Sequence, residues 1–253
     1  MNIRLICLTL VAALVAGAGA AAQEGGVDLI AQKPLAPNLA AFPRLAAADG
    51  PWQRINQSLA KADARVRDAG EGCHADAVAA NIPDGGWQRS VAVVMRGPGY
   101  LSLVATDSWY CGGAYPDTNR FALNYDLKTG SPLNWARLLP KALVQTASLD
   151  AAGDGTQLGL VASPALTALY LELAKPDSDC TELLQQQELH FMLWPDAAAD
   201  GVGMEPSGLA HAIEACGPEV TIPEARLRIL KADPALVDAI AAGHKAGWFD
   251  RAR

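Results

Sequence analysis

The chain has 253 residues, of which 51% are hydrophobic and 19% charged, and its formal net charge is −7 at pH 7. This mild acidity, without any basic run, excludes nucleic-acid binding through a basic patch and a charge-driven attachment to anionic lipid. The length suits one larger domain or two small ones.

The first 22 residues have the layout of a secretory signal peptide. Arg4 precedes an apolar run from Leu5 to about Val15, and small residues follow up to an A-x-A cleavage site at Ala20-Ala21-Ala22. A membrane anchor is the alternative, but the apolar run is shorter than the roughly 20 residues that a membrane span needs. We therefore expect cleavage after residues 1–22 and a protein that is periplasmic or secreted, with no membrane span after cleavage.

Residues 23–40 are small, polar and proline-containing, which predicts a flexible leader. The segment 51–69 opens with Pro51 at a first helical turn and has apolar residues at helical spacing, so it predicts an amphipathic helix. Residues 72–87 show little pattern and end in a Gly-Gly turn.

A change of period follows the helix. Two β-rich runs within residues 89–110 are separated by Gly97-Pro98-Gly99, which predicts a hairpin. The segment 120–127 alternates apolar and polar residues like a half-buried strand, and Gly130 suits the turn that closes it. The segment 131–140 then predicts a short helix.

The remaining elements alternate helices with strands. Residues 163–176 predict a helix with Ser163 as the N-cap, and residues 233–249 predict a last amphipathic helix capped by Asp233. Apolar runs at 188–195 and 218–223 are predicted strands.

The order of these elements is helix, strands, helix, strands, helix, without strict βαβ alternation. This order favours an α+β fold in which antiparallel sheets pack with helices. We expect two α/β halves, residues 41–145 and residues 146–253.

The cysteines indicate a disulfide-bonded protein. Four of them follow the predicted leader, and an even number in an exported chain favours disulfides. Four cysteines allow three pairings, and we expect Cys73–Cys111 and Cys180–Cys216 because each joins neighbours within one half. The chain has no C-x-x-C motif, so zinc-finger and thioredoxin-like chemistry are poor interpretations. We predict no metal site and no cofactor.

Aromatic residues crowd around a Gly-Gly pair shortly after the hairpin. They could form a platform for a sugar ring or a partner loop, because aromatic rings supply contact area at low entropic cost. The alternative is structural, with the glycines turning the chain and the rings packed beneath. Asn119, with Asp117 and Thr118, either binds the same ligand or caps the next strand. The candidate ligand-binding residues are Trp109, Tyr110, Gly112, Gly113, Tyr115 and Asn119.

The sequence contains no complete catalytic motif. It lacks a G-x-S-x-G nucleophile elbow and an H-E-x-x-H zinc motif. His211 and Glu214 would share one face of a helix, as an acid–base pair or as a surface ion pair. We therefore predict a non-enzymatic protein without catalytic residues, and the alternative is a hydrolase acting through His211, Glu214 and carboxylates that folding brings near.

Three blocks of sequence resemble the PdaC/RsiV-like family of bacterial envelope domains. They are "FPRL…RIN" at 42–56, "GGAYPDTNRFALNYDLKTGSPLNWARLL" at 112–139 and "DGVGMEPSGLAHAIEACGPEVTIP" at 200–223. The family includes the N-terminal domain of the peptidoglycan deacetylase PdaC and the extracellular part of the anti-sigma factor RsiV, a lysozyme receptor. The chain differs from the family pattern at Tyr115, where many members have His, and at Glu224, which replaces a Tyr.

The resemblance implies an envelope protein that binds peptidoglycan fragments or a lysozyme-like enzyme. The resemblance makes a cell-wall hydrolase or a deacetylase-related enzyme the first alternative. A structural envelope protein without a ligand is a further alternative. Binding that is weakened by substitution of Tyr110 or Tyr115, without turnover, would favour the binding protein. Turnover of wall fragments that stops in His211→Ala would favour the enzyme.

Overall fold

The protein has a mixed α+β fold, as predicted. A computed structural model describes residues 25–47 and 50–250, so the predicted signal peptide lies outside the described residues. Within that part of the chain, seven helices accompany three antiparallel sheets, with 35% of residues helical and 31% in strands. None of the helices in the described ranges is long and apolar enough to cross a membrane.

The N-terminal part of the chain builds one long helix, a two-stranded ribbon and a three-stranded sheet. The ribbon pairs β1 with β2, and the three-stranded sheet, here called the first sheet, has the order β3-β4-β5. These elements are β1 Leu29–Ile30, β2 Arg44–Leu45, α1 Gly50–Ala79, β3 Gly86–Arg96, β4 Tyr100–Tyr110 and β5 Asp117–Asp126.

Helix α1 is about ten residues longer than the sequence pattern predicted. The patternless stretch after residue 69 continues the helix to Ala79, although it contains Gly70 and Gly72. Cys73 and Ala77 are buried there, at 4% and 0% exposure, so tertiary packing outweighs the weak helix propensity of the glycines. The prediction for this stretch was therefore wrong.

The first sheet confirms the predicted hairpin and the strand after it. Leu103 on β4 lies opposite Leu123 on β5, and Ala105 lies opposite Phe121. All four residues belong to one buried cluster that also includes side chains of α1. The alternation of apolar residues along β5 therefore reflects burial of this face, as the period of two predicted.

The C-terminal part builds a five-stranded antiparallel sheet, here called the second sheet, in the order β10-β9-β8-β7-β6. Ser163 and Asp233 cap α3 and α6 through their side chains, as predicted. The elements are α2 Trp135–Leu138, β6 Thr146–Ala151, β7 Gln157–Ala162, α3 Pro164–Ala174, α4 Ser178–Gln185, β8 His190–Asp196, β9 Gly201–Ser207, a 3₁₀ helix at His211–Cys216, β10 Val220–Pro223, α5 Glu224–Ile229 and α6 Pro234–Ala246.

Three strands of the second sheet were not predicted. Every residue of β6 is exposed, so the strand has no alternating apolar pattern. β9 contains Gly201, Gly203 and Pro206, which favour turns in a sequence reading. β7 pairs with β6 and was also not predicted from the sequence.

The two sheets pack against each other. Met192 and Trp194 of β8 belong to the buried cluster of the first sheet and α1. The side-chain Nδ2 of Asn124 donates a hydrogen bond to the Leu193 carbonyl at 2.8 Å. The Ser102 hydroxyl donates to Oδ1 of the same Asn124 side chain at 2.7 Å. The predicted halves therefore share buried apolar and polar contacts.

The segment before β2, predicted as a flexible leader, makes specific contacts in its described part. Val27 is 1% exposed, and its amide donates to the Arg96 carbonyl at 2.8 Å. Leu39 is buried, and the Ala40 amide donates to Arg89.

Candidate functional site

A polar cleft lies where the start of β5 meets the end of β9 and the 3₁₀ helix. We call it the β5–β9 cleft. It comprises a cavity of about 220 Å³ and an adjoining one of about 380 Å³. β5 is an edge strand of the first sheet, and its first residues line this cleft. Residues that line both cavities are Thr118, Asn119, Arg120, Glu205, Glu214 and Gly217.

Tyr115 stands beside this cleft on the loop between β4 and β5. Its side chain is 75% exposed, which is unusual for a tyrosine among the described residues. The ring stacks on the His211 imidazole with 6.4 Å between centroids and 16° between planes. The structure thus joins a predicted binding residue to the histidine of the predicted acid–base pair.

His211 faces two carboxylates. Its Nδ1 lies 3.5 Å from Oε2 of Glu214 and 3.9 Å from Oδ1 of Asp117. The Asp117 Oδ1 also accepts a hydrogen bond from the Thr118 amide at 2.8 Å. The pairing of His211 with Glu214 was predicted from their spacing, whereas the approach of Asp117 was not.

The floor of the cleft carries a second charged group. The Arg120 guanidinium lies 3.4 Å from Glu205 and also pairs with Glu219. Burial raises the pKa of the Glu205 carboxyl, the charge and hydrogen bond of Arg120 oppose that shift, and the nearby Glu214 adds to it. The cleft is therefore acidic, with one cation placed to neutralise part of the charge.

The two predicted disulfides form next to segments that border the cleft. Cys111 at the end of β4 is joined to Cys73 of α1. Cys216 at the end of the 3₁₀ helix is joined to Cys180 of α4. The tyrosine loop and the histidine-bearing helix are thus each attached to a longer helix. Two disulfides are consistent with an extracytoplasmic protein.

The other predicted binding residues lie apart from the cleft lining. Trp109 stacks on Trp87, with 5.0 Å between ring centroids, and Tyr110 is half-buried beside it on β4. Gly112 has a φ of +106°, and a Cβ there would lie 3.0 Å from the Ala80 Cβ, so this glycine meets a structural need. Gly113 is exposed on the same loop. Of the predicted set, Asn119 lines the cleft and Tyr115 stands at its edge.

Sequence reasoning named Asp117 as a possible ligand-binding residue beside Asn119, but it missed Arg120 and Glu205 as members of the same site. Arg120 and Glu205 come from different sheets, and no spacing rule relates them. The signal in the sequence was that Arg120 falls in the second block of the family resemblance and Glu205 in the third.

A larger cavity of about 570 Å³ lies elsewhere, between residues 35–39, α1 and residues 84–88. His74 and Glu71 contribute to its wall from one face of α1. It is lined by none of the predicted binding residues.

Comparison with known proteins gives a fold similarity only. No family model matches the chain, and no curated protein matches it. A DUF3298 family protein from Pseudomonas aeruginosa PAO1 is 18% identical with a TM-score of 0.37, over 59% of this chain and 64% of that one. A DUF3298 family member from Bacteroides fragilis is 13% identical with a TM-score of 0.47, over 85% of this chain and 94% of that one.

DUF3298 corresponds to the PdaC/RsiV-like domain that the sequence blocks resemble. The chain spans 64% of the length of the Pseudomonas protein.

Proposed function

We propose that this protein is an exported, non-catalytic binding protein of the cell envelope, with its ligand site in the β5–β9 cleft. The candidate ligands are peptidoglycan fragments, with a lysozyme-like protein as the second candidate. Four features support this function: the predicted secretory leader, the two disulfides, the family resemblance and the geometry of the cleft.

The observation that carries this proposal is the exposed Tyr115 beside a polar cleft. An aromatic ring covers the apolar face of a sugar while leaving its own hydroxyl in water. Asn119 offers an amide beside it, able to donate to and accept from sugar hydroxyls. The disulfides attach the Tyr115 loop and the 3₁₀ helix to longer helices, and restricted motion of these segments lowers the entropy lost on binding.

An enzyme remains the rival because His211 lies within 3.5 Å of Glu214. Such a pair is within reach of acid–base work on a bound wall fragment. The side chains of His211 and Glu214 are 67% and 44% exposed. Electrostatic catalysis is strongest where water is excluded, so this exposure favours binding over catalysis.

The test uses purified protein and soluble peptidoglycan fragments in isothermal titration calorimetry. We expect binding that Tyr115→Ala weakens by about tenfold or more, as removal of an aromatic anchor does. Leu149→Ala is the matched control, because Leu149 on β6 is 73% exposed, close to the 75% of Tyr115. Tyr115→Phe should retain most of the affinity.

Parallel assays separate the alternatives. Release of new reducing ends or acetate that stops in His211→Ala would establish the enzyme. Capture of lysozyme without glycan binding would select the second candidate ligand. If the protein binds neither glycans nor lysozymes at high micromolar concentration, and does not turn over glycans, the proposed binding function is wrong.

A further inference from the structure

We propose that Asp117, His211 and Glu214 form a binding site for a divalent transition-metal ion, with Zn²⁺ as the best-suited ion. The site lies at the mouth of the β5–β9 cleft. It does not depend on the proposed glycan binding, since it follows from the positions of three side chains.

The ligand atoms are close to the spacing that one ion requires. In a tetrahedral zinc site, bonds of about 2.0–2.2 Å place ligand atoms roughly 3.3–3.6 Å apart. Nδ1 of His211 lies 3.5 Å from the Glu214 carboxylate and 3.9 Å from the Asp117 carboxylate. All three ligand atoms lie within 4.8 Å of one another. Small rotations of these partly exposed side chains would bring them into range.

The surrounding contacts orient the three ligands. Tyr115 stacks on the imidazole of His211 and restricts the tilt of the ring. The Thr118 amide donates at 2.8 Å to Oδ1 of Asp117, the same oxygen that lies 3.9 Å from Nδ1 of His211, and so helps to orient this carboxylate. His211 and Glu214 belong to a 3₁₀ helix that ends in the disulfide-bonded Cys216.

The chemistry of the donors selects the class of ion. An imidazole nitrogen suits Zn²⁺ and other late transition metals, whereas Mg²⁺ and Ca²⁺ prefer sites made only of oxygen ligands. Two carboxylates with a neutral imidazole carry two negative charges, which match one divalent ion. Three protein ligands leave a fourth position for water or for an oxygen of a bound ligand.

The test titrates Zn²⁺ alone into chelator-treated protein, with calorimetry for affinity and stoichiometry and a thermal shift as a second measurement. We expect one ion per chain and a rise in Tm. His211→Ala, Asp117→Asn and Glu214→Gln should each weaken binding by at least about tenfold, since even the loss of a supporting contact costs about 10–100-fold.

His74→Ala is the matched control, because it removes an exposed histidine of α1 outside the proposed site. It should leave the affinity unchanged. The Tm of each variant without metal verifies that it folds. The proposal is overturned if Zn²⁺ does not bind at millimolar concentration, if the three ligand variants bind like the parent, or if Ca²⁺ and Mg²⁺ bind equally well. A zinc site without glycan binding would refute only the proposed function.

Discussion

At the scale of single residues, Arg89 is the most demanding side chain to bury. It is 4% exposed overall, and its guanidinium makes two bonds of 2.6 Å to Asp107 and one of 2.6 Å to Asp154. The same group lies over the rings of Phe42 and Phe121 at 5.4 and 5.0 Å. Burial opposes the charge, but the hydrogen bonds and charges of the two carboxylates outweigh it and raise the pKa of Arg89.

Replacing Arg89 should therefore be costly. Arg89→Met leaves two buried carboxylates without a cation, and we expect it to lower the free energy of unfolding by about 3–5 kcal/mol. Asp154→Asn keeps the ion pair of Arg89 with Asp107, whose net charge is zero, so it should lower the free energy of unfolding by less. Urea unfolding followed by circular dichroism measures both changes.

The control for this prediction is Arg137→Met, because Arg137 on α2 is exposed. Its effect should stay within about 0.5 kcal/mol, as is usual for surface substitutions. A loss below about 1 kcal/mol in Arg89→Met would show that the buried network adds little to stability.

Sequence reading did well for residues whose role is local. The caps Ser163 and Asp233 and the turn residue Gly130 follow from hydrogen bonds and φ angles within a few residues. Trp109 was harder, because its stacking partner Trp87 lies on the neighbouring strand. The sequence around Trp109 is equally compatible with an exposed platform for a ligand and with two tryptophans packed on each other.

At the scale of elements, the disulfides join short segments to longer helices. Cys73–Cys111 closes a sequence separation of 38 residues and Cys180–Cys216 one of 36. In the chain-entropy view, stabilisation depends on the logarithm of the loop length, so the two bonds should contribute nearly equally.

We therefore expect the double variants Cys73→Ala/Cys111→Ala and Cys180→Ala/Cys216→Ala each to lose about 2–4 kcal/mol of unfolding free energy. Thermal and urea unfolding of the two proteins under identical buffer conditions measure the losses. A difference above roughly 1 kcal/mol would mean that native packing around one bond, and not chain entropy, dominates its effect.

Elements with a strong period were predictable, and those without one were not. β5 and α6 show apolar residues at the spacing of a strand and a helix, and both were located from sequence. The last ten residues of α1 depend on contacts with distant parts of the chain, such as the bond from Cys73 to Cys111. β6 pairs with its neighbour β7, and all of its residues are exposed. The residues of these two segments do not carry a pattern that specifies the element.

At the scale of the whole molecule, buried tyrosines link stability to alkaline pH. Burial, with the charges of Asp233 and Asp126, raises the pKa of Tyr100 to about 12. Burial also raises the pKa of Tyr125 and Tyr170. An unfolded tyrosine ionises near pH 10. Between these values the native chain holds protons that the unfolded chain has released, so the free energy of unfolding falls as pH rises.

Tyr100→Phe should reduce this loss. The difference between pH 9 and pH 11 should shrink by at most about 1 kcal/mol, because the ring is partly exposed to solvent. Urea unfolding at the two pH values measures it, with the exposed Tyr115→Phe as control. An unchanged difference in Tyr100→Phe would assign the alkaline loss to other groups.

The fold class was predictable because it depends on the order and type of elements, and their order along the chain is typical of α+β proteins. The assembly of the two sheets was not. It depends on contacts such as that of Asn124 with the Leu193 carbonyl, which no local pattern encodes. The β5–β9 cleft lies at this junction, which is why only part of it was recognised beforehand.

The turn after β5 packs against the start of α1, and this contact affects how the glycine of the turn is interpreted in related sequences. Gly130 has a φ of +70°, and a side chain there would collide with the main chain of Pro51 at the start of α1. The Trp52 indole donates to the Leu127 carbonyl at 3.1 Å in the same place. We therefore expect homologues to keep this glycine because a side chain there would collide with the start of α1. Its invariance would then carry no information about what the protein recognises.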